Sequence, residues 1–260
     1  SIKMKRIVIA VVAIAMLSGQ LLAGDLTGLQ VIESVYNRPT GDDIQGDLMM
    51  TLVNSRGDTR VREIKQFVKD FGDEEKKIMF FLSPADVRNT SFMNWSYDDE
   101  SKSDDQWIYL PALKRVKRIS SDSNSDYFMG SDFTYDDLGD RHPSEDTHKI
   151  LRMEELEGKS VYVVESVSKD EDYMYSRTVT WVVAGTWVGH QKEYYDEDGD
   201  LLKILTVEEQ EDHDGIIVLT RTKMTHIQKN QSTVMSFSNI ALNKGIEDSK
   251  FTERIMRRGL

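Results

Sequence analysis

At 260 residues the chain has room for one large domain or two small ones. A formal net charge of −12 excludes broad contact with nucleic acid and confines any contact with an anionic membrane to a local patch. The absence of cysteine excludes disulfide scaffolds, thiol catalysis, cysteine-based zinc sites and an acylated N-terminal cysteine.

The first expected element is a leader. "MKRIVIAVVAIAMLSGQLLAG" opens with Lys5 and Arg6, runs apolar from Ile7 to Leu17, and ends in small residues at Ala23 and Gly24. That is the layout of a cleaved secretory signal peptide over residues 1–23. The apolar run is well short of the roughly 20 residues that a membrane-spanning helix needs. Cleavage would remove Lys3, Lys5 and Arg6 and no acid, so the exported form is more acidic still. Export without acylation points to a soluble periplasmic protein, with residues 24–260 forming one domain.

Helical periodicity is confined to the ends of that domain. "LTGLQVIESVYNRP" sets Leu29, Ile32, Val35 and Tyr36 on one stripe and stops before Pro39. "EDSKFTERIMRRG" places acids early, Arg254, Arg257 and Arg258 late, and Gly259 as a stop, in keeping with a helix dipole. Between them lie strand-like runs separated by Gly/Asp turns: "DIQGDLMMTLVN", "TRVREIKQFVKD", "KKIMFFLS", "KILRME", "SVYVVESVS", "WVGHQKEYY", "LLKILTVEEQ", "IIVLTRTKM" and "STVMSFSNI". Alternation is visible within them. Leu202, Ile204 and Thr206 face one way, and Lys203, Leu205 and Val207 the other. "KIMFFL" is apolar on both faces and so needs cover on both. Ten or so such strands predict one antiparallel sheet, strongly curved and closed or half-closed.

Residues 120–143 interrupt the series. "SSDSNSD" is loop-like, and "YFMGSDFTYDDL" then brings aromatic residues back beside a glycine. Long loops of this kind commonly carry function.

Catalytic patterns are missing. The chain contains no G-x-S-x-G, H-E-x-x-H, P-loop or dinucleotide-binding glycine pattern. His142, His148, His190, His213 and His226 are scattered, and "DEDGD" at 196–200 does not follow the EF-hand order, so no metal site, cofactor or enzyme is expected.

The most distinctive stretch is "DDQWIYLPALKRVKRI", followed about ten residues later by "MGSDFTYDDL". These blocks, Asp104 to Leu138, resemble the outer-membrane lipoprotein-sorting (LolA-like) family, and within it the larger periplasmic members associated with RND-type exporters. The leader, the strand meander and "FTER" near the C-terminus extend the likeness over nearly the whole chain. The resemblance implies a mainly β fold: an unclosed, half-open antiparallel β-barrel whose concave face is covered by a few short helices. It also implies a non-enzymatic periplasmic carrier that holds the acyl chains of a lipid or lipoprotein in an apolar cavity, with an RND-type inner-membrane transporter as a partner. No particular oligomeric state is implied. Shielding is a physical necessity for such cargo: a sixteen-carbon chain exposed to water costs on the order of 12 kcal/mol.

Candidates to line that cavity are Met50, Phe80, Met93 and Trp95, together with Trp107, Tyr109, Phe128, Met129 and Phe133. Lys114, Arg115, Lys117 and Arg118 follow Pro111 at a strand end and are candidates for docking to anionic headgroups or to an acidic face of a membrane partner. Their alternative role is pairing with the acids of the 120–143 loop, such as Asp122, Asp126, Asp136 and Asp137. Two rival functions stand beside the carrier. One is an envelope module that binds a polar ligand such as a glycan on Trp and Tyr. The other is a hydrolase built on the 120–143 loop, which would bring Ser, His and Asp within hydrogen-bond reach.

Overall fold

Alternating strands cut by tight turns dictate a meander, and the computed structural model shows one, described for residues 25–260. The leader expected over 1–23 lies outside the described residues. The first six strands are β1 (Asp43–Val53), β2 (Thr59–Asp70), β3 (Glu74–Ser83), β4 (Ser91–Tyr97), β5 (Asp105–Leu110) and β6 (Arg115–Arg118). The next seven are β7 (Asp146–Leu156), β8 (Lys159–Ser168), β9 (Arg177–Val183), β10 (Gly189–Tyr195), β11 (Leu201–His213), β12 (Ile216–His226) and β13 (Gln231–Leu242). The turn between β1 and β2 illustrates the chemistry. Gly57 takes φ +87°, and Asn54 Oδ1 accepts from the amides of Arg56 and Asp58 at 3.0 Å each.

All thirteen strands belong to one antiparallel sheet, in the order β6-β5-β4-β3-β2-β1-β13-β12-β11-β10-β9-β8-β7. Two meanders meet at the β1–β13 pair, which runs from Ile44 opposite Leu242 to Val53 opposite Ser232. The free edges are β6 and β7, so the barrel does not close. The count exceeds the ten or so expected, since β4, β6 and β9 add to the runs read above.

Laid flat, thirteen strands about 4.8 Å apart would span close to 60 Å. Instead the sheet curls. Leu48 and Met50 of β1, Phe81 of β3, Phe92 of β4, Tyr194 of β10 and Met224 of β12 share a single buried cluster on what is therefore the concave face. Register places Tyr194 opposite Thr178 of β9, and Thr178 opposite Ser166 of β8, so Val164 and Val182 lie on this same face. Helix α1 (Gly28–Tyr36) covers them through Val31, with Ile32 and Val35 alongside. Thr27 and Gln30 cap it reciprocally, at 3.2 Å and 2.9 Å.

"KIMFFL" is covered on both faces, as its two-sided apolarity requires. Met79 and Phe81 belong to the concave cluster. Ile78 and Phe80 belong to a second cluster on the outer face, sealed by Phe251 and by Met256 of α3 (Glu253–Arg258). The short helices thus divide: α1 and α2 (Tyr135–Leu138) lie on the concave side, whereas α3 lies outside.

The seating of α1 depends on a close backbone approach at Gly28. A Cβ there would meet the carbonyl carbon of His148 and the amide of Lys149 on β7, both at 2.8 Å. Gly28→Val is expected to lower stability by about 1–3 kcal/mol, the usual cost of overpacking. Denaturant midpoints measure this, and an unchanged midpoint would show that α1 contributes little.

Candidate functional site

β6 and β7 are consecutive in sequence yet occupy opposite edges, and the segment between them dips into the concave face. Its local structure is specified by its own residues. Tyr127 and Thr134 form a bridge, and Phe128 N donates to Phe133 O at 2.7 Å. Met129 (φ +50°) and Gly130 (φ +72°) turn the chain between them. Thr134 and Asp137 then cap α2 reciprocally, at 2.8 Å and 3.1 Å. The resulting loop drives Phe128, Phe133 and Leu138 into the concave cluster. Phe128 is fully buried, with ring centroids 5.1 Å from Phe92 and 5.9 Å from Phe81. A hollow of about 170 Å³ persists beside this wedge, lined by Leu48, Met79, Phe133, Leu138, Met235 and Phe237.

Polar groups at the margins hold the wedge down. Lys203 and Asp137 form an ion pair with both side chains buried. Lys203 Nζ also donates to Asp132 O at 3.0 Å and lies 5.2 Å from the rings of Tyr127, Tyr175 and Tyr194. Tyr175 OH donates to Asp137 at 2.8 Å. Asp132 accepts from Thr233 Oγ1 at 2.8 Å and from Gln231 Nε2 at 2.6 Å. Backbone carbonyls of the segment are met as well: Met129 O by Arg62, Tyr135 O by Gln106 at 2.7 Å, and Leu138 O by Lys77 at 2.7 Å. Burial pushes the Lys203 and Lys77 ammonium groups down, and nearby carboxylates, chiefly Asp137 for Lys203 and Glu75 for Lys77, oppose that shift.

The gap left between the two sheet edges is polar. A hollow of about 560 Å³ lies there, with Tyr97, Lys102, Asp104 and Arg118 on one side and Asp140, Arg141, His142 and Tyr173 on the other. Asp104 spans the gap, accepting from Asp140 N at 2.7 Å and from Asn94 Nδ2 at 3.2 Å. Arg141 is held by Asp146 in a bidentate pair, its shortest contact 2.6 Å, and stacks 3.9 Å from the Tyr173 ring. Asp140 is exposed to the hollow but crowded by protein; desolvation there, reinforced by the charges of Glu75 and Asp104, pushes its carboxyl up from 3.8 to about 7.

The cavity residues proposed from sequence divide by face. Met50, Phe128, Met129 and Phe133 meet on the concave side. Phe80, Met93, Trp95, Trp107 and Tyr109 gather instead on the outer face beneath α3. Trp107 and Tyr109 do share one strand face and Ile108 the other, as alternation requires; which face is concave depends on pairing. Lys114, Arg115, Lys117 and Arg118 lie exposed at the β6 edge, where Arg118 pairs with Asp105. Of the connector acids, Asp137 is engaged with Lys203 and Asp136 with Tyr173 OH at 2.6 Å, while Asp122 and Asp126 are exposed and form no ion pair with the basic run among the described residues. Lys203, Asp132 and Thr233, which fasten the connector to the wall, are residues that sequence reading passed over. The signal for Lys203 was present: a lysine sharing a strand face with Leu205 and Val207 is either exposed or paired, and here it is paired.

Known proteins place this arrangement. A family model described as an uncharacterized protein matches residues 73–258. A structure of an outer membrane lipoprotein-sorting protein domain from Vibrio parahaemolyticus is 32% identical, covers 89% of this chain and 98% of that one, and superposes with a TM-score of 0.83. The chain belongs to the outer membrane lipoprotein-sorting (LolA-like) family. A DUF1329 family protein from Desulfovibrio piger is 30% identical over 88% of this chain and 97% of that one, with a TM-score of 0.82. A LolA superfamily protein from Nitrosomonas europaea, 20% identical over 88% and 99%, shares the fold with a TM-score of 0.68. No curated protein matches the chain.

Two measurements probe this LolA-like site. Asp137→Ala leaves the Lys203 ammonium buried without its counter-charge, and a loss of about 3–5 kcal/mol is expected. Asp137→Asn with Lys203→Met removes both charges but keeps an acceptor for Thr134 N and Tyr175 OH, and should recover most of that loss; equal damage from the double variant would argue against the pair. Asp140 predicts a pH dependence. Its folded-state pKa lies above the unfolded one, so its contribution to stability is full at low pH and is lost as pH rises from about 4 to about 7. Asp140→Asn should remove that decline, read as the difference between the two proteins' unfolding free energies across the window.

Proposed function

We propose that the protein is a periplasmic carrier whose concave wall shelters the acyl chains of a lipid or lipoprotein. The observation that carries this reading is the nature of the cover. The apolar wall of Leu48, Met50, Ile64, Phe81, Phe92, Met224 and Met235 is closed by a connector inserting Phe128, Phe133 and Leu138, not by a second sheet. Ligand pockets commonly measure about 300–1,000 Å³. The apolar hollow, at about 170 Å³, therefore admits a chain only when the connector yields its place. The family shared with a lipoprotein-sorting domain supports both this cargo class and a periplasmic location. Transfer needs no covalent step, only an affinity gradient between donor, carrier and acceptor, and an RND-type inner-membrane transporter is the partner proposed for one end of it.

A second reading, recognition of a polar ligand such as a glycan, is favoured by one observation: the larger polar hollow between the sheet edges carries Tyr97 and Tyr173 among acids and amides.

Protein purified from the cell envelope should release acyl lipids on solvent extraction, identified by mass spectrometry. A fluorescent acyl probe should bind the purified protein, and Met235→Glu on the concave wall should abolish that binding in a chain that still melts cooperatively. Asp132→Ala, which deprives Thr233 and Gln231 of their acceptor, should free the connector and raise apparent probe affinity about tenfold or more. Envelope protein free of acyl lipid, together with probe binding indifferent to Met235→Glu, would overturn the carrier. Glycan binding that survives Met235→Glu would support the second reading.

A further inference from the structure

Positive charge is concentrated at one end of the sheet, in a chain of net charge −12. The turn Pro111–Lys114 joins β5 to β6 there, and Lys114, Arg115 and Lys117 are exposed around it. None of these three forms an ion pair among the described residues. Folding adds a second group from the other end of the chain. Ser91 pairs with Tyr109, Tyr109 pairs with Val116, and Ser91 Oγ donates to Met256 O at 3.0 Å. Those contacts seat the last turn of α3 at the same end of the sheet. Phe251 and Met256 are buried beneath it, and Arg254, Arg257 and Arg258 are exposed. Arg257 is 3.6 Å from Glu253, whereas Arg254 and Arg258 have no acidic partner among the described residues. In the adjoining β3–β4 loop Asp86 and Arg88 offset each other.

An apolar side chain projects from this cationic surround. Leu113, 67% exposed, is the most exposed large apolar residue among those described. It is held out by a stiff turn: Pro111 opens it, Lys114 N donates to Pro111 O at 3.0 Å, and Lys114 takes φ +47°. The cations come from separate elements: Arg254, Arg257 and Arg258 line a shallow open hollow of about 490 Å³ along α3, with the acid Glu253 in its wall, and Lys114, Arg115 and Lys117 lie outside it. Dispersed positive charge around a protruding leucine matches an array of anionic headgroups above hydrocarbon, and matches a single small anion poorly.

We propose that the β5–β6 turn and α3 together form a docking surface for an anionic lipid bilayer. Leu113 enters between headgroups, while Lys114, Arg115, Lys117, Arg254 and Arg258 meet phosphates. The net negative charge of the remainder orients the approach, since only this end is attracted. The inference stands apart from the carrier reading, because acyl-probe binding in solution does not involve this surface.

Flotation of the purified protein with vesicles tests it, comparing phosphatidylglycerol mixed into phosphatidylcholine with phosphatidylcholine alone. Binding should require phosphatidylglycerol and should fall steeply at high salt. Each cation removed should weaken binding about fivefold, so Lys114→Gln/Arg115→Gln and Arg254→Gln/Arg258→Gln should each cost roughly 25-fold. Leu113→Ser should weaken binding while leaving its salt dependence intact, and melting curves and acyl-probe binding should be unchanged in all three. Equal binding to phosphatidylcholine would overturn the proposal, as would a loss from the turn variant with none from the α3 variant. Absence of binding to phosphatidylglycerol at low salt would overturn it too, leaving an acidic protein surface as the partner chemistry.

Discussion

The constraint on which this structure depends is topological. Strands β6 and β7 are neighbours in the chain and strangers in the sheet, one at each edge of thirteen. The curl brings those edges to either side of one hollow, and the connector between them does not bridge it directly but dips into the concave face. Had β6 paired with β7, the barrel would have closed and the connector could have stayed outside it as an edge-to-edge loop. The open seam leaves the interior to be filled by a segment with its own turns and caps. What fills the hollow is therefore separable, in principle, from what encloses it.

That separability explains why polar groups sit in so apolar a place. A buried ion pair such as Lys203–Asp137 stabilises less than well-packed hydrocarbon would, because both charges surrender their hydration. Its value lies in geometry. Lys203, Thr233 and Gln231 from the wall, and Arg62, Gln106 and Lys77 from elsewhere on it, each meet a particular acceptor on the connector. Hydrocarbon packing tolerates sliding; this set of bonds forms in one register only. The connector is thus specified to one position by bonds that are individually modest.

Much of this was legible in the sequence. Turn spacing and alternation gave an antiparallel sheet, the two-faced run "KIMFFL" required cover on both sides, and the resemblance of residues 104–138 pointed to an unclosed barrel. Face assignment was less accessible. Trp107 and Tyr109 share a face by alternation, but concave and outer faces are distinguished only once Tyr109 is known to pair with Ser91 and Val116, which lie far apart in sequence. For the same reason the aromatic residues that look most like a binding platform pack under α3, while the wall uses Leu48, Met224 and Met235, which look like ordinary core. The basic patch was half visible: Lys114 to Arg118 are adjacent in the chain, but the α3 arginines join them only in the fold, through the Ser91–Met256 contact and the packing of Met256 with Tyr109 and Val116.

The strengths of the competing interactions bear on what the concave face does. Burying Phe128, Phe133 and Leu138 contributes about 1.5–3 kcal/mol each, so the wedge gains on the order of 5–9 kcal/mol from the wall. A single sixteen-carbon chain taking its place would gain on the order of 12 kcal/mol relative to water. The cargo's gain exceeds the wedge's by about 3–7 kcal/mol, and the latch bonds narrow that difference. On the carrier reading this offset, which cancels roughly half or more of the cargo's gain, is what release requires. A wall left bare would hold its cargo too tightly to pass on, and a wall filled by strands would hold none. A tethered occupant of lower affinity keeps the face dry when empty and competes for it when loaded, so the direction of transfer falls to the donor and the acceptor.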